Sequence, residues 1–245
     1  MAEWLLFDTG RGFLGGTANR LLGGAGIWRP IAAAVLLLVF VATCVPGRKS
    51  KDEDLRYAGP IEIGIGRDEF LAGTDIQYLG KTEDGARVSI GGQPSLKMMG
   101  DSLNWAGSPL EGVEVDLNLR VVFVSEEKLH VAGTAKITIA EPSPQPGAVN
   151  TAVPIRYKLP VAYHVETGAT LTGTPITYIG ETEKGAHLGN TEGYPYREMG
   201  DSIVWKGQLQ HSESGGAWLD LNLRTVLITE NALNVAGTAE LWLAP

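Results

Sequence analysis

The sequence predicts a mainly β fold: a single N-terminal transmembrane helix, then two tandem, internally duplicated antiparallel modules, each a small β-sandwich or β-barrel. Three observations carry this. One stretch occurs twice. Gly100-Asp101-Ser102, Trp105, Gly107, Asp116-Leu117-Asn118-Leu119-Arg120 and Val131-Ala132-Gly133-Thr134-Ala135 return in the same order as Gly200-Asp201-Ser202, Trp205, Gly207, Asp220-Leu221-Asn222-Leu223-Arg224 and Val235-Ala236-Gly237-Thr238-Ala239. Apolar and other residues alternate through both copies, which is the period of a half-buried strand. A run without charge, Ile31 to Val45, precedes them.

Residues 1–29 form a glycine-rich tail. Trp4, Phe7, Leu14, Leu21 and Trp28 fall near helical spacing, but seven glycines interrupt them. Each glycine disfavours a helix by roughly 1 kcal/mol relative to alanine, so short interfacial pieces are expected. Gly10-Arg11-Gly12-Phe13-Leu14-Gly15 has the G-x-G-x-x-G spacing, but no strand precedes it and no βαβ unit surrounds it, so it does not read as a dinucleotide site. Residues 30–46 are expected to span the membrane, with Trp28 at the interface and Arg29 snorkelling to the headgroups. Val41-Ala42-Thr43-Cys44 approaches a lipoprotein cleavage motif, but threonine fits poorly before the cysteine. Arginines before the span and a denser basic cluster after it leave only a weak lean, to modules outside the cytoplasm.

Residues 47–55 are a charged linker, 56–140 the first module, 141–155 a proline-rich linker and 156–245 the second module. The copies align at an offset of 100 from Arg56/Arg156 to Gly107/Gly207, and of 104 afterwards, so the second has a four-residue insertion within 208–217. About six strands per copy are expected, the longest running from Val113 to Val124 and returning from Leu129 to Ile139. Gly73, Gly80, Gly85 and Gly100 sit where strands end and are expected to take positive φ. Asp101 and Ser102 are expected to cap their turn, and Trp105 and Trp205 to enter the core. Asp116, Asn118 and Arg120 share a face opposite Leu117 and Leu119. An Asp–Arg bond along that face is expected, with Asp220 and Arg224 its copy.

The chain carries a formal charge of −8. The charge is uneven: residues 1–56 hold seven Lys/Arg against five Asp/Glu, and residues 57–245 hold 13 against 23. An acidic extrinsic part repels phosphate backbones, so no nucleic acid is expected as a partner. Cys44 is the single cysteine, which excludes an intrachain disulfide. Gly100-Asp101-Ser102-Leu103 spells the word of the GDSL serine esterases, but the chain has no Asp-x-x-His and no helices for that α/β fold, so it reads as a turn. The four histidines lie outside metal-ligand spacing of one another. No catalytic residue, metal ligand or cofactor is expected.

Architecture therefore carries the functional expectation. The chain reads as a non-catalytic accessory or scaffolding subunit of a multi-subunit membrane complex, and energy-converting assemblies, respiratory or photosynthetic, are the commonest places for such subunits. Its partners are integral membrane subunits and the lipid bilayer, with Trp4, Phe7, Leu14, Trp28 and Arg29 as anchors. The alternative is a membrane-anchored binding module for a lipid, pigment or peptide.

Overall fold

A computed structural model describes residues 54–212 and 215–245, and all of their regular structure is strand. The tail at 1–29 and the segment at 30–46 lie outside the described residues, as do the anchors assigned to them. Among the described residues no helix is long and apolar enough to cross a membrane.

The first repeat runs through β1 (Leu55–Gly66), β2 (Ile76–Thr82), β3 (Gly85–Ile90), β4 (Gln93–Lys97), β5 (Trp105–Leu110), β6 (Val113–Val124) and β7 (Lys128–Ile139). A two-residue strand, β8 (Gln145–Pro146), follows in the linker. The second repeat has β9 (Ile155–Glu166), β10 (Thr177–Thr182), β11 (Gly185–Gly189), β12 (Tyr196–Arg197), β13 (Ser202–Ser212), β14 (Gly215–Ile228) and β15 (Ala232–Ala244). Each repeat thus holds seven strands, one more than the sequence pattern supplies. The shortest, β12, has too few residues to show any alternation.

Strand order repeats as well. One sheet is β1-β7-β6-β5 and its copy is β9-β15-β14-β13, extended by β8. Each repeat adds a three-stranded meander, β2-β3-β4 or β10-β11-β12. All pairings are antiparallel. Pro60 and Pro160 lie in mid-strand, which is tolerated because β1 and β9 are edge strands with one side free of a ladder.

The two longest repeated words pair with each other, and this explains why both persist. Leu117 stands opposite Ala135, Leu119 opposite Gly133 and Arg120 opposite Ala132. Leu221, Leu223 and Arg224 stand opposite Ala239, Gly237 and Ala236. A Cβ on Gly133 would lie 2.9 Å from Leu119 Cα and closer still to the Asn118 carbonyl oxygen. On Gly237 it would lie 2.8 Å from Leu223 Cα. The glycine lets its neighbour's backbone approach, and no side chain substitutes for it without spreading the ladder.

Odd-numbered residues of β1, β6, β7, β9, β14 and β15 supply most of one buried face, from Tyr57 and Leu117 to Leu221 and Leu241. These residues belong to a single hydrophobic cluster that includes both repeats. The repeats meet reciprocally. Gly73 packs against Ile155 and Tyr157, and Gly173 against Leu55 and Tyr57. Both glycines have positive φ, +79° and +78°; a Cβ on Gly173 would strike the Tyr57 hydroxyl, and one on Gly73 would crowd Ile155 and the Tyr157 hydroxyl, at 3.1 and 3.3 Å. The expected positive φ is present at Gly73, Gly80, Gly85 and Gly100 alike. Where β1 meets β9, Gly59 faces the Pro160 carbonyl and Leu159, so one leucine fills a space that two would overfill.

The reciprocity has one break. Tyr157 donates to the Ala72 carbonyl at 3.0 Å. Among the described residues the Tyr57 hydroxyl finds no acceptor of good geometry and neither does that of Tyr163, although the two are close enough to perturb each other's ionisation. Burial above all raises the phenol pKa of all three tyrosines.

The linker lies along a sheet edge. β8 pairs with β13 at Gly207 and Gln208. Ser143 N donates to Leu209 O at 2.7 Å and Gly147 N to Lys206 O at 3.1 Å. The edge of β13 is therefore covered, which blunts it against pairing with another chain.

Candidate functional site

The Gly-Asp-Ser word forms a turn in both repeats. Asp101 Oδ2 accepts from Met98 N at 2.8 Å, and Asp201 Oδ2 from Glu198 N at 2.8 Å. The backbone then crosses to the bulged end of the long hairpin. Gly100 N donates to Val121 O and Val121 N to Asp101 O, and Gly200, Thr225 and Asp201 repeat the exchange. Arg120 Nη1 donates to the Gly100 carbonyl at 2.8 Å, and Arg224 Nη1 to that of Gly200 at 3.1 Å. Each arginine ties the turn to the sheet.

The acidic members of the word act elsewhere. Asp220 bonds Lys206 Nζ at 2.6 Å across the β13–β14 pair. Asp116 stands opposite Lys136. No Asp–Arg bond forms within either word among the described residues, because each arginine reaches the turn carbonyl instead. Trp205 is buried, and Trp105 is half-buried against the same core. A Cβ on Gly107 or Gly207 would lie 2.6 Å from the preceding tryptophan's ring. The Trp-x-Gly spacing therefore seats an indole over a residue without a side chain.

Among the described residues no histidine is paired with a hydroxyl or thiol at these turns. His130 lies 3.8 Å from Glu62, His164 Nδ1 2.9 Å from Asn234 Oδ1, and His187 stacks on Tyr196. His211 Nδ1 lies 3.1 Å from Gln208 Nε2. Among the described residues no group of three or more His, Cys, Asp or Glu side chains could hold a metal ion.

What the turns do present is apolar. A bulge in β6 leaves Val122 unpaired between Val121 and Phe123, and one in β14 leaves Val226 unpaired between Thr225 and Leu227. A bulge re-aims the side chains beside it. Met99 is 69% exposed and Phe123 55%, and their counterparts Met199 and Leu227 are 66% and 48% exposed. Met98, Val122 and Val226 are exposed with them. Each repeat thus carries an apolar tip where the locked turn meets the bulged strand. The signal in the sequence was the apolar doublet just after each Asp-Leu-Asn-Leu-Arg word, where alternation fails in both copies.

The solvent face of the second repeat's sheet carries a feature the first lacks. Directly opposed residues form a row across five strands: Gln145, Gln208, Trp218, Trp242 and Arg156. The Arg156 guanidinium lies over the Trp242 ring, 4.8 Å from its centroid. Glu240 accepts from Arg156 Nη2 at 2.6 Å and from Lys158 Nζ at 2.8 Å. Burial pushes the Glu240 carboxyl up, but hydrogen bonds and charge from Lys158 and Arg156 outweigh it and hold the pKa below its usual value.

No protein-family model, curated protein or solved structure matches the chain.

Proposed function

We propose that this chain is a non-catalytic accessory subunit of a multi-subunit membrane complex. In this reading residues 30–46 are the single membrane span, and two tandem β-sandwich modules stand on the extracytoplasmic side. The observation that carries it is the pair of apolar tips around Met99, Phe123, Met199 and Leu227. Large apolar side chains held at equivalent places by two locked turns, outside the core, are what a docking surface requires. The bulges beside Phe123 and Leu227 interrupt the β6–β7 and β14–β15 ladders at equivalent places, so their presence in both copies reads as built. The partners are integral membrane subunits, and the acidic extrinsic part disfavours nucleic acid.

The test is purification of the full chain through a C-terminal tag in gentle detergent, followed by native mass analysis. The unaltered chain is expected with companion subunits. A variant with Met99, Phe123, Met199 and Leu227 all changed to serine is expected to lose them while melting at the same temperature. Recovery of the unaltered chain as a lone monomer, or unchanged co-purification of the variant, overturns the proposal.

A further inference from the structure

We propose that the solvent face of the β9-β15-β14-β13-β8 sheet binds an extended, uncharged polysaccharide across its strands. The Gln145–Gln208–Trp218–Trp242–Arg156 row is the site. The inference does not rest on the accessory-subunit reading and uses none of the residues of the apolar tips.

First, the fold does not demand the row. At the same backbone positions the first repeat carries Glu114, Thr138 and Arg56, in the same register. Its sheet forms without any indole on this face. The fifth strand, which supplies Gln145, is added only to the sheet that carries the tryptophans.

Second, the groups suit a sugar chain. Trp218 and Trp242 are directly opposed, half-buried indoles on a solvent-facing surface. Indole faces stack against the C–H faces of pyranose rings, and flanking amides bond their hydroxyls; one face of Trp242 is already covered by the Arg156 guanidinium, so Trp218 is the main stacking platform and Trp242 extends it. Gln145 is exposed, and its side chain makes no hydrogen bond among the described residues. Gln208 spends its amide nitrogen on Gln210 O and His211, leaving its oxygen as an acceptor. Arg156 spends Nε and Nη2 on Glu240, leaving Nη1. Groups one strand apart recur about every 4.8 Å, so five strands span about 19 Å. That spacing is close to the repeat of successive sugars in an extended β-linked chain.

Third, the charge on this face is nearly cancelled. Beside the row, Lys206 bonds Asp220, and Lys158 and Arg156 share Glu240. Three cations thus face two carboxylates, which leaves a single positive charge to hold a polyanion, and the chain as a whole carries −8. Hydroxyl-rich, neutral polymers complement such a surface, whereas nucleic acids and acidic polysaccharides do not.

The experiment is a titration of the full chain in detergent micelles with cellohexaose and with chitohexaose. It is followed by calorimetry and by the indole N–H resonances of the tryptophans. Saturable binding of at least one hexasaccharide is expected, with the Trp218 and Trp242 resonances shifting and those of Trp105 and Trp205 unmoved. The Trp218→Ala/Trp242→Ala variant should bind at least about tenfold more weakly. Glu114→Ala, at the equivalent place in the first repeat, should bind as the unaltered chain does. The resonance shifts are read on the unaltered protein, so a misfolded double variant does not leave the question open. The proposal is overturned if neither hexasaccharide binds in the millimolar range, or if binding leaves Trp218 and Trp242 unmoved. It is also overturned if only heparin or polygalacturonate binds, or if the two indoles instead mediate self-association seen by sedimentation. None of these outcomes bears on co-purification of companion subunits, so the two proposals fail separately.

Discussion

Replacing Gly133 with alanine is the sharpest test of how the two repeated words hold each other. The added Cβ would sit 2.9 Å from Leu119 Cα, 3.0 Å from the Asn118 carbonyl carbon and nearer still to its oxygen. These are backbone atoms of the paired strand, so no rotamer change relieves the overlap. The β6–β7 ladder must spread instead. Overpacking of this kind destabilises by about 1–3 kcal/mol, and a rigid obstruction puts Gly133→Ala near the top of that range. In a unit of this size, 1 kcal/mol moves Tm by about 2–4 °C, so a fall of roughly 6–12 °C is expected. Gly237→Ala meets nearly the same geometry and should fall as far. Gly147→Ala is the control. Nothing lies within 4 Å of its added carbon, and its φ is not in the left-handed region. It should raise stability by about 0.4–1 kcal/mol, through a less flexible unfolded chain. Thermal unfolding of the full chain, followed by circular dichroism in one fixed detergent, reads all three. Because the core is continuous across the repeats, Gly133→Ala and Gly237→Ala should each shift one transition rather than split it. If Gly133→Ala melts with Gly147→Ala, the close approach does not constrain the fold and the reasoning fails.

Two further outcomes follow from the same structure. Tyr157→Phe removes a bonded hydroxyl and strands the Ala72 carbonyl, so it should cost about 1 kcal/mol, whereas Tyr57→Phe removes a buried hydroxyl without an acceptor and should be neutral or stabilising; denaturant unfolding of the two variants checks this, and equal losses would refute it. Glu240 has a lowered folded pKa, so its contribution is fully present above the unfolded carboxylate value of about 4.3 and is lost as pH falls through the folded value; Glu240→Gln should be less stable than the unaltered chain at pH 7, and melting curves against pH should converge in acid.

Much of the fold was legible because it is written twice. The repeated words marked the long hairpin, the strand-end glycines and the turn at Asp101, and each is present. Side-chain destinations were less legible. Arg120 lies two residues from Asn118 and four from Asp116 along one face, so local pairing was the natural expectation. Its actual acceptor, the Gly100 carbonyl, is 20 residues away and becomes a neighbour only when the turn folds against β6. The apolar tips were hidden for a related reason. A bulge shifts alternation by one residue, so Phe123 shares the odd-number parity of the buried Leu117 and Leu119 but stands 55% exposed. The row across the second sheet joins residues as far apart as Gln145 and Trp242, which no local window brings together.

Repetition also divides the residues by what they do. Gly73 with Tyr157 and Gly173 with Tyr57 are the same contact made twice, in opposite directions. That is the pattern of a two-fold interface, here closed within one chain. Residues on such an interface cannot drift independently, since each face must still fit the other. This accounts for tyrosine at both 57 and 157 and glycine at both 73 and 173. Where the pseudo-axis brings a residue toward its own equivalent the copies differ, as Gly59 and Leu159 do. On the solvent face neither constraint applies. There the copies keep Asp116/Asp220 and Asn118/Asn222 but differ beside them, with Glu114 against Trp218 and Thr138 against Trp242, while the register beneath is unchanged. Shared identity in this chain therefore follows the turns, the reciprocal contacts and the paired words. A difference at equal register, where packing requires none, is where a ligand surface specific to one repeat is to be sought.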